Sequence, residues 1–202
     1  MSLTRWGAAL VGCATLLLTA CTVVDLDANG KPIIPADPNA KASFDNQTPQ
    51  QIAQQTWQTR VIDAANKQAL DANALSAKMK SSSSTTQSVF VRLTSKIESV
   101  DVSNEREHKL VINVNGQPLK VQLGPVINGN AIRDATGFKF EDFTNQVQFA
   151  QLSRAYAREA VKHLPNVDPG WAGKTATMTL AVTLNGGKAE DAALLEIKPE
   201  AQ

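Results

Sequence analysis

The densest group of polar side chains in this sequence lies between residues 124 and 150. It combines amide, guanidinium and carboxylate groups, which can hydrogen-bond the hydroxyls of a sugar in a pocket. A structural role in turns and caps, including a local Arg133 to Asp134 pair, is the more common use of these residue types and stays open. Trp171, in a Pro-Gly-Trp loop, could stack on a sugar face. The candidates in the segment are Asn128, Asn130, Arg133, Asp134, Asn145 and Gln146.

A second piece of chemistry is the thiol of Cys21, which follows the small residues Leu18-Thr19-Ala20. Arg5 and an apolar run precede it, and the run is shorter than the about 20 residues that cross a bilayer. Residues 1–20 are therefore predicted to be a lipoprotein signal peptide, with Cys21 acylated by palmitate-like chains that anchor the protein. An ordinary secretory signal with a coincidental cysteine is the alternative.

Charge and residue spacing exclude several classes of protein. Removal of residues 1–20 takes one arginine from the 20 basic residues and no acidic residue, which leaves 19 basic against 19 acidic groups. A neutral chain without a basic cluster argues against nucleic-acid binding. His108 and His163 have no metal-ligand spacing, and no nucleophile elbow occurs. We therefore expect no enzyme, no metal and no cofactor.

Three segments are expected to precede the main domain. Residues 21–47 are rich in Pro, Asp, Asn and Gly and are predicted to be a lipid-anchored tether, although the Val23-Val24 and Ile33-Ile34 pairs could instead pack on the domain. Residues 48–80 form a predicted amphipathic helix with Thr48 as N-cap and Pro49 in its first turn. Residues 81–87 are a polar linker.

Residues 88–202 carry the pattern of a β-barrel domain. Alternation runs from Val89, slips phase after Ile97, and returns in a hairpin whose Asn115-Gly116 dipeptide favours a type I′ turn. A helix is predicted at 141–164, then strands at 175–184 and near 193–197. This order predicts an α+β, mainly β fold: an OB-fold-like, five-stranded, partly open barrel with a helix between strands 3 and 4. A generic α+β sandwich is the rival.

A set of short motifs runs through this chain: Gly124-Pro125-Val126-Ile127, Ala131-Ile132-Arg133-Asp134, Gly137-Phe138 and Phe143-Thr144-Asn145-Gln146, with Trp57 and Val23-Val24. These motifs resemble those of a family of uncharacterised periplasmic lipoproteins often encoded beside ribose-type sugar ABC transporters. The resemblance implies an OB-like domain on a lipid anchor and brings no established activity.

Together these features predict a non-enzymatic, lipid-anchored protein of the bacterial envelope that faces the periplasm. Its expected role is an accessory or binding module associated with sugar ABC uptake, with a sugar or a transporter component as partner besides the membrane. The alternative is an envelope protein–protein interaction or structural lipoprotein without a small-molecule ligand. The residue after Cys21 is Thr22 and not the aspartate that retains lipoproteins in the inner membrane, which favours the outer membrane.

Overall fold

The computed structural model describes Phe44 and residues 46–81, 85–143 and 146–200. The predicted signal peptide, the acylation site Cys21 and nearly all of the predicted tether lie outside these residues. Among the helices that the model describes, none is both long enough and apolar enough to span a membrane.

Five strands form a closed barrel in the order β1-β2-β3-β5-β4, with β4 paired to β1. They are β1 Gln87–Asp101, β2 Glu107–Val114, β3 Gln117–Pro125, β4 Thr175–Asn185 and β5 Lys188–Pro199. All pairs are antiparallel except β3 with β5, which is parallel and joins only Val121 and Gln122 to Ala192 and Ala193. The barrel confirms the predicted fold class and excludes the generic α+β sandwich, and it is closed where a partly open one was predicted.

The two irregular features that the strand pattern predicts are present. The register of β1 against β2 shifts between Ile97 and Ser99, where the apolar alternation slips. In the β2–β3 turn, Asn115 and Gly116 have φ values of 50° and 86°. Positive φ at both positions is the type I′ geometry, which suits the twist of the flanking strands.

The helices cover the barrel from outside. The N-terminal ones are α1 Pro49–Thr56, a π-helical turn Trp57–Ile62, α2 Asp63–Gln68 and α3 Ala72–Ser81. Between β3 and β4 lie α4 Ala131–Ala135, a 3₁₀ turn Phe140–Asp142, α5 Gln146–His163 and a second 3₁₀ turn Pro169–Trp171. The main helix therefore lies between strands 3 and 4, as the OB-like order predicts.

The predicted single helix over 48–80 is wrong, because the helical path breaks at residues 69–71. The Asp71 carboxylate accepts a hydrogen bond from the Ala74 amide at 2.7 Å, which is a new N-cap that starts α3. Leu70 instead forms a parallel bridge to Val91 of β1. The break turns α3 away from α2.

Two other boundaries differ from the prediction. Phe44, placed in the tether, is buried, and Gln148 holds its carbonyl oxygen with a 2.8 Å hydrogen bond, so the domain begins before Thr48. The helix predicted at 141–164 begins at Gln146, since the Lys139 amide bonds the Asp142 carboxylate and closes a separate 3₁₀ turn.

Two apolar cores stabilise the domain, one on each face of the β1–β4–β5 sheet. The barrel interior contains Val91, Leu180 and Leu194, closed at one end by Leu75 of α3. The other core lies between the outer face of the sheet and α1, α4 and α5. Its sheet side includes Ala181 and Ala193, which are register partners. Their small side chains let the helices approach closely.

The one tyrosine of the chain reports on this second core. Burial raises the pKa of Tyr156 to about 12, above the usual value of about 10. Stability from the neutral phenol is therefore fully present below about pH 10 and is lost as pH rises through about 12. We expect the folded protein to show no more than about a tenth of the full tyrosinate ultraviolet absorbance at pH 10–11, because these values lie at least one unit below the pKa. Titration near pH 10, with circular dichroism still native, would contradict this packing.

Candidate functional site

The predicted polar segment leaves the barrel through a close approach to α5. Gly124, at the end of β3, has a φ of +107°, and a Cβ built on it would lie 2.6 Å from Cγ2 of Val161. Glycine adopts this conformation without strain, and any other residue would also push the Val161 side chain aside. The first residue of the polar segment, Gly124, therefore has a packing role.

Asn128 ties this segment to the barrel wall. Its backbone amide donates to the side-chain oxygen of Gln122 at 2.8 Å. Its backbone carbonyl accepts from the side-chain nitrogen of Gln122 at 3.1 Å. Its own side chain donates to Glu107 at 3.1 Å. Hydrogen bonds and charge from Lys109, with this bond from Asn128, lower the pKa of Glu107. Asn130 is exposed, precedes α4 and makes no side-chain cap.

Arg133 is buried and its guanidinium is occupied by the protein itself. Its Nε donates to Oδ1 of Asp134 at 2.7 Å, and a terminal nitrogen lies 2.6 Å from the same oxygen. The other terminal nitrogen donates to the Phe149 carbonyl at 3.3 Å, and the guanidinium carbon lies 4.0 Å above the Phe149 ring. The two contacts with Phe149 fasten α4 to α5, and the pair with Asp134 is the local structural role left open above.

The remaining candidates do not converge with Arg133. Gln146 is exposed at the start of α5, and Asn145 lies outside the described residues. Trp171 packs half-buried on the barrel interior next to the start of β4, with Lys174 nearby. Asp134, by contrast, borders the start of β1, which pairs with the far end of β4. A single pocket made of the whole predicted set is therefore not formed.

Asp134 does line a cleft, which we call the polar cleft, with a volume of about 600 Å³. It lies where the end of α2, α3, the start of β1 and the end of α4 meet. Its residues are Gln68, Leu70, Lys78, Thr86, Gln87, Ser88, Val89, Phe90, Asp134, Ala135, Thr136 and Gly137.

The polar cleft offers several hydrogen-bonding groups that the fold does not use. Both contacts of Asp134 with Arg133 use Oδ1, which leaves Oδ2 as an acceptor. Within the part of the chain that the structure describes, the side chains of Gln68, Lys78 and Gln87 have no hydrogen-bond or ion-pair partner. The cleft therefore combines a carboxylate, two amides and an ammonium group.

A second cleft, which we call the apolar groove, lies on the other side of α3 and has a volume of about 800 Å³. The β2–β3 and β4–β5 turns form its remaining walls. The Asn115 side chain joins the β2–β3 turn to α3 by donating to the Ala72 carbonyl at 3.0 Å and to the Ser76 hydroxyl at 2.8 Å. Its apolar lining includes Leu75, Met79, Val114, Leu119 and Ala189, with Lys80 and Lys188 at the rim.

Groups that could support metal or acid–base chemistry are separated. Over the described residues, no cluster of three or more His, Cys, Asp or Glu side chains could hold a metal ion. His108 lies on β2, whereas His163 stacks on Trp57 with ring centroids 5.0 Å apart. The hydroxyl and amide of Ser103 lower the pKa of the exposed Asp101 by ordinary turn hydrogen bonds.

Sequence reasoning found Asp134 but missed Gln68, Lys78 and Gln87 as its neighbours. These three belong to α2, α3 and β1, so only the turn between α2 and α3 brings them together. The available signal was Asp71, an N-cap residue type three positions before Ala74.

The barrel, its strand order and its helical cover define an OB-fold protein. The chain is similar to an OB-fold protein from Thermotoga maritima, with a TM-score of 0.53, 17% identity and coverage of 75% of this chain and 98% of that one. A family model described as a predicted periplasmic lipoprotein (DUF2291) matches residues 11–199, and the chain belongs to this family. No curated protein matched the chain.

The structural role of Arg133 can be measured directly. We expect Arg133→Met to lower the free energy of unfolding by about 1–3 kcal/mol, because it removes hydrogen bonds from a buried guanidinium to a carboxylate and to the Phe149 carbonyl. Asn130→Ala, in the same segment but exposed, should change it by less than about 0.5 kcal/mol. Urea denaturation compares the two. Equal stability of both variants would show that Arg133 does not hold α4 to α5.

Proposed function

We propose that this periplasmic lipoprotein is a non-enzymatic binding module that serves sugar uptake, and that its polar cleft contacts the sugar. The observation that carries the proposal is the set of unused polar groups around Asp134 in a cleft of about 600 Å³. Small-molecule sites usually measure about 300–1,000 Å³ and hold a few convergent polar groups.

The chemistry of the cleft suits a ligand with many hydroxyls. Each sugar hydroxyl both donates and accepts, so it can pair with a carboxylate acceptor, an ammonium donor or an amide that does both. Asp134, Lys78 and the glutamines Gln68 and Gln87 supply these three kinds of group. Leu70 and Val89 add apolar surface, which suits the C–H face of a sugar ring.

The link to uptake rests on the resemblance to lipoproteins encoded beside ribose-type sugar transporters. An acyl anchor at Cys21 would keep the module at a membrane, where a transporter component or the sugar itself could be its partner. Palmitoylation of Cys21 and residence in the outer membrane belong to the same proposal.

The non-enzymatic part of the proposal is supported by the acidic content of the cleft. Asp134 is the one carboxylate among the described residues that line it. Hydrolysis of a glycosidic bond normally needs two carboxylates that flank the bond. A single acceptor paired with Arg133 suits binding better than hydrolysis.

Sugar binding should appear as thermal stabilisation of the mature protein. A sugar at 100 times its dissociation constant would add about 2.7 kcal/mol to the free energy of unfolding. We expect at least one pentose or hexose to raise the melting temperature, and Asp134→Asn and Gln87→Ala each to reduce that shift. Differential scanning fluorimetry measures it, with each variant compared against its own sugar-free melting temperature.

Asn130→Ala is the matched control, since Asn130 is exposed in the same segment and lies outside the cleft lining. It should keep the full sugar-dependent shift. If no sugar shifts the unsubstituted protein, or if all three variants respond alike, the polar cleft is not a sugar site.

The apolar groove favours a second candidate function, an envelope protein–protein interaction. Its apolar lining and its two rim lysines suit a partner segment with apolar and acidic residues, because buried apolar surface gives affinity and charge gives orientation. Crosslinking of the mature lipoprotein in its native envelope separates the functions. A crosslink from a Lys188 probe to another protein, without any sugar-dependent shift, would favour this second function.

A further inference from the structure

Five of the six phenylalanines of the chain gather at one edge of the domain, which we call the aromatic edge. Phe44 stacks on Phe143 with centroids 5.5 Å apart and meets Phe138 edge-on at 5.4 Å. Phe143 lies 5.3 Å from Phe149, which in turn meets Phe140 edge-on at 6.0 Å. The cluster joins the start of the described domain to α5 and to the turn before it.

The aromatic edge is also where large apolar side chains reach solvent. Phe140 is 45% exposed and Val147 is 58% exposed, and among the described residues these are the exposed large apolar side chains. They lie on the 3₁₀ turn and on the first turn of α5, which both flank Phe149. Packing within the domain does not explain why these two apolar side chains are at the surface.

The position of the chain entry indicates what could cover this edge. The chain enters the domain at Phe44, whose carbonyl Gln148 fixes, and 22 residues separate Phe44 from Cys21. A chain of that length reaches at most about 75 Å, whereas a domain of this size is about 40 Å across. This length would let any face of the domain touch the membrane, but the edge that holds Phe44 lies where the chain enters and so needs the least extension of the connecting chain.

We propose that the aromatic edge docks on the bilayer that carries the lipid anchor, with Phe140 and Val147 inserted among the lipid head groups. Aromatic and aliphatic side chains gain free energy there by leaving water. Two side chains alone bind weakly, but an anchored chain gives them a high effective concentration at the surface. The proposal depends on lipidation and is independent of the sugar function.

Lys139 and Arg154 flank the edge and can face lipid phosphates, while Glu141 offsets part of this charge. Apolar contact rather than net charge is therefore the main attraction. We expect docking to persist when the salt concentration is raised, because screening weakens only the charged contacts.

The test uses the acylated mature protein in vesicles of phosphatidylethanolamine and phosphatidylglycerol. A bimane probe on Glu141→Cys reports beside Phe140 while leaving Phe140 and Val147 intact, and the same probe on Lys188→Cys reports from the β4–β5 turn. Only protein that floats with the vesicles is measured. Brominated lipids should quench the probe at 141 at least threefold more than the probe at 188.

The double variant Phe140→Ser, Val147→Ser, with the probe at 141, should lose this excess quenching. Because Phe140 also loses its edge-on contact with Phe149, the melting temperature of the double variant is measured as well and quenching is recorded well below it. Equal quenching at 141 and 188, or undiminished quenching in the double variant, would overturn the proposal. A probe spectrum that shifts with protein concentration in detergent would assign the edge to a second copy instead, and would also overturn it.

Discussion

The arrangement of this domain depends on two backbone hydrogen bonds at Leu70. Its amide donates to the Phe90 carbonyl at 2.9 Å, and its carbonyl accepts from the Arg92 amide at 2.8 Å. The first half of β1 pairs with β4, whereas its pairing with β2 begins only at Ile97, so the other edge of residues 90–92 needs a partner. Leu70 fills that edge and makes the N-terminal helices part of the barrel.

Both clefts follow from this connection. The bridge fixes the turn after α2, and Asp71 then starts α3 in a new direction across the barrel opening. Leu75 closes the interior, with the polar cleft on one side of α3 and the apolar groove on the other. A helix that continued from α2 without a break would leave the opening uncovered and form neither wall. The binding chemistry proposed for Asp134 therefore depends on a backbone contact made by Leu70.

Local sequence patterns predicted most of the barrel because its bulge and its tight turn are each determined by residues adjacent in the sequence. The phase slip after Ile97 and the Asn115-Gly116 turn both act within a few positions, and both are present. The helix break was missed because its cause is a distant strand edge, against which Asp71 was only a weak local signal. The site was predicted in part. Asp134 lines a cleft, but Arg133 and Asn128 make their hydrogen bonds to other groups of the domain. The other cleft residues come from separate elements, so no spacing in the sequence joins them.

Amide hydrogen exchange at Leu70 and Arg92 in the mature protein tests this account most directly, because both amides are the donors of the two bonds. The account predicts that both are protected as strongly as the amides of β4, since they would open only when the barrel opens. Exchange of both at the rate of an exposed amide, with β4 still protected, would show that the N-terminal helices are a separate arm and would contradict it.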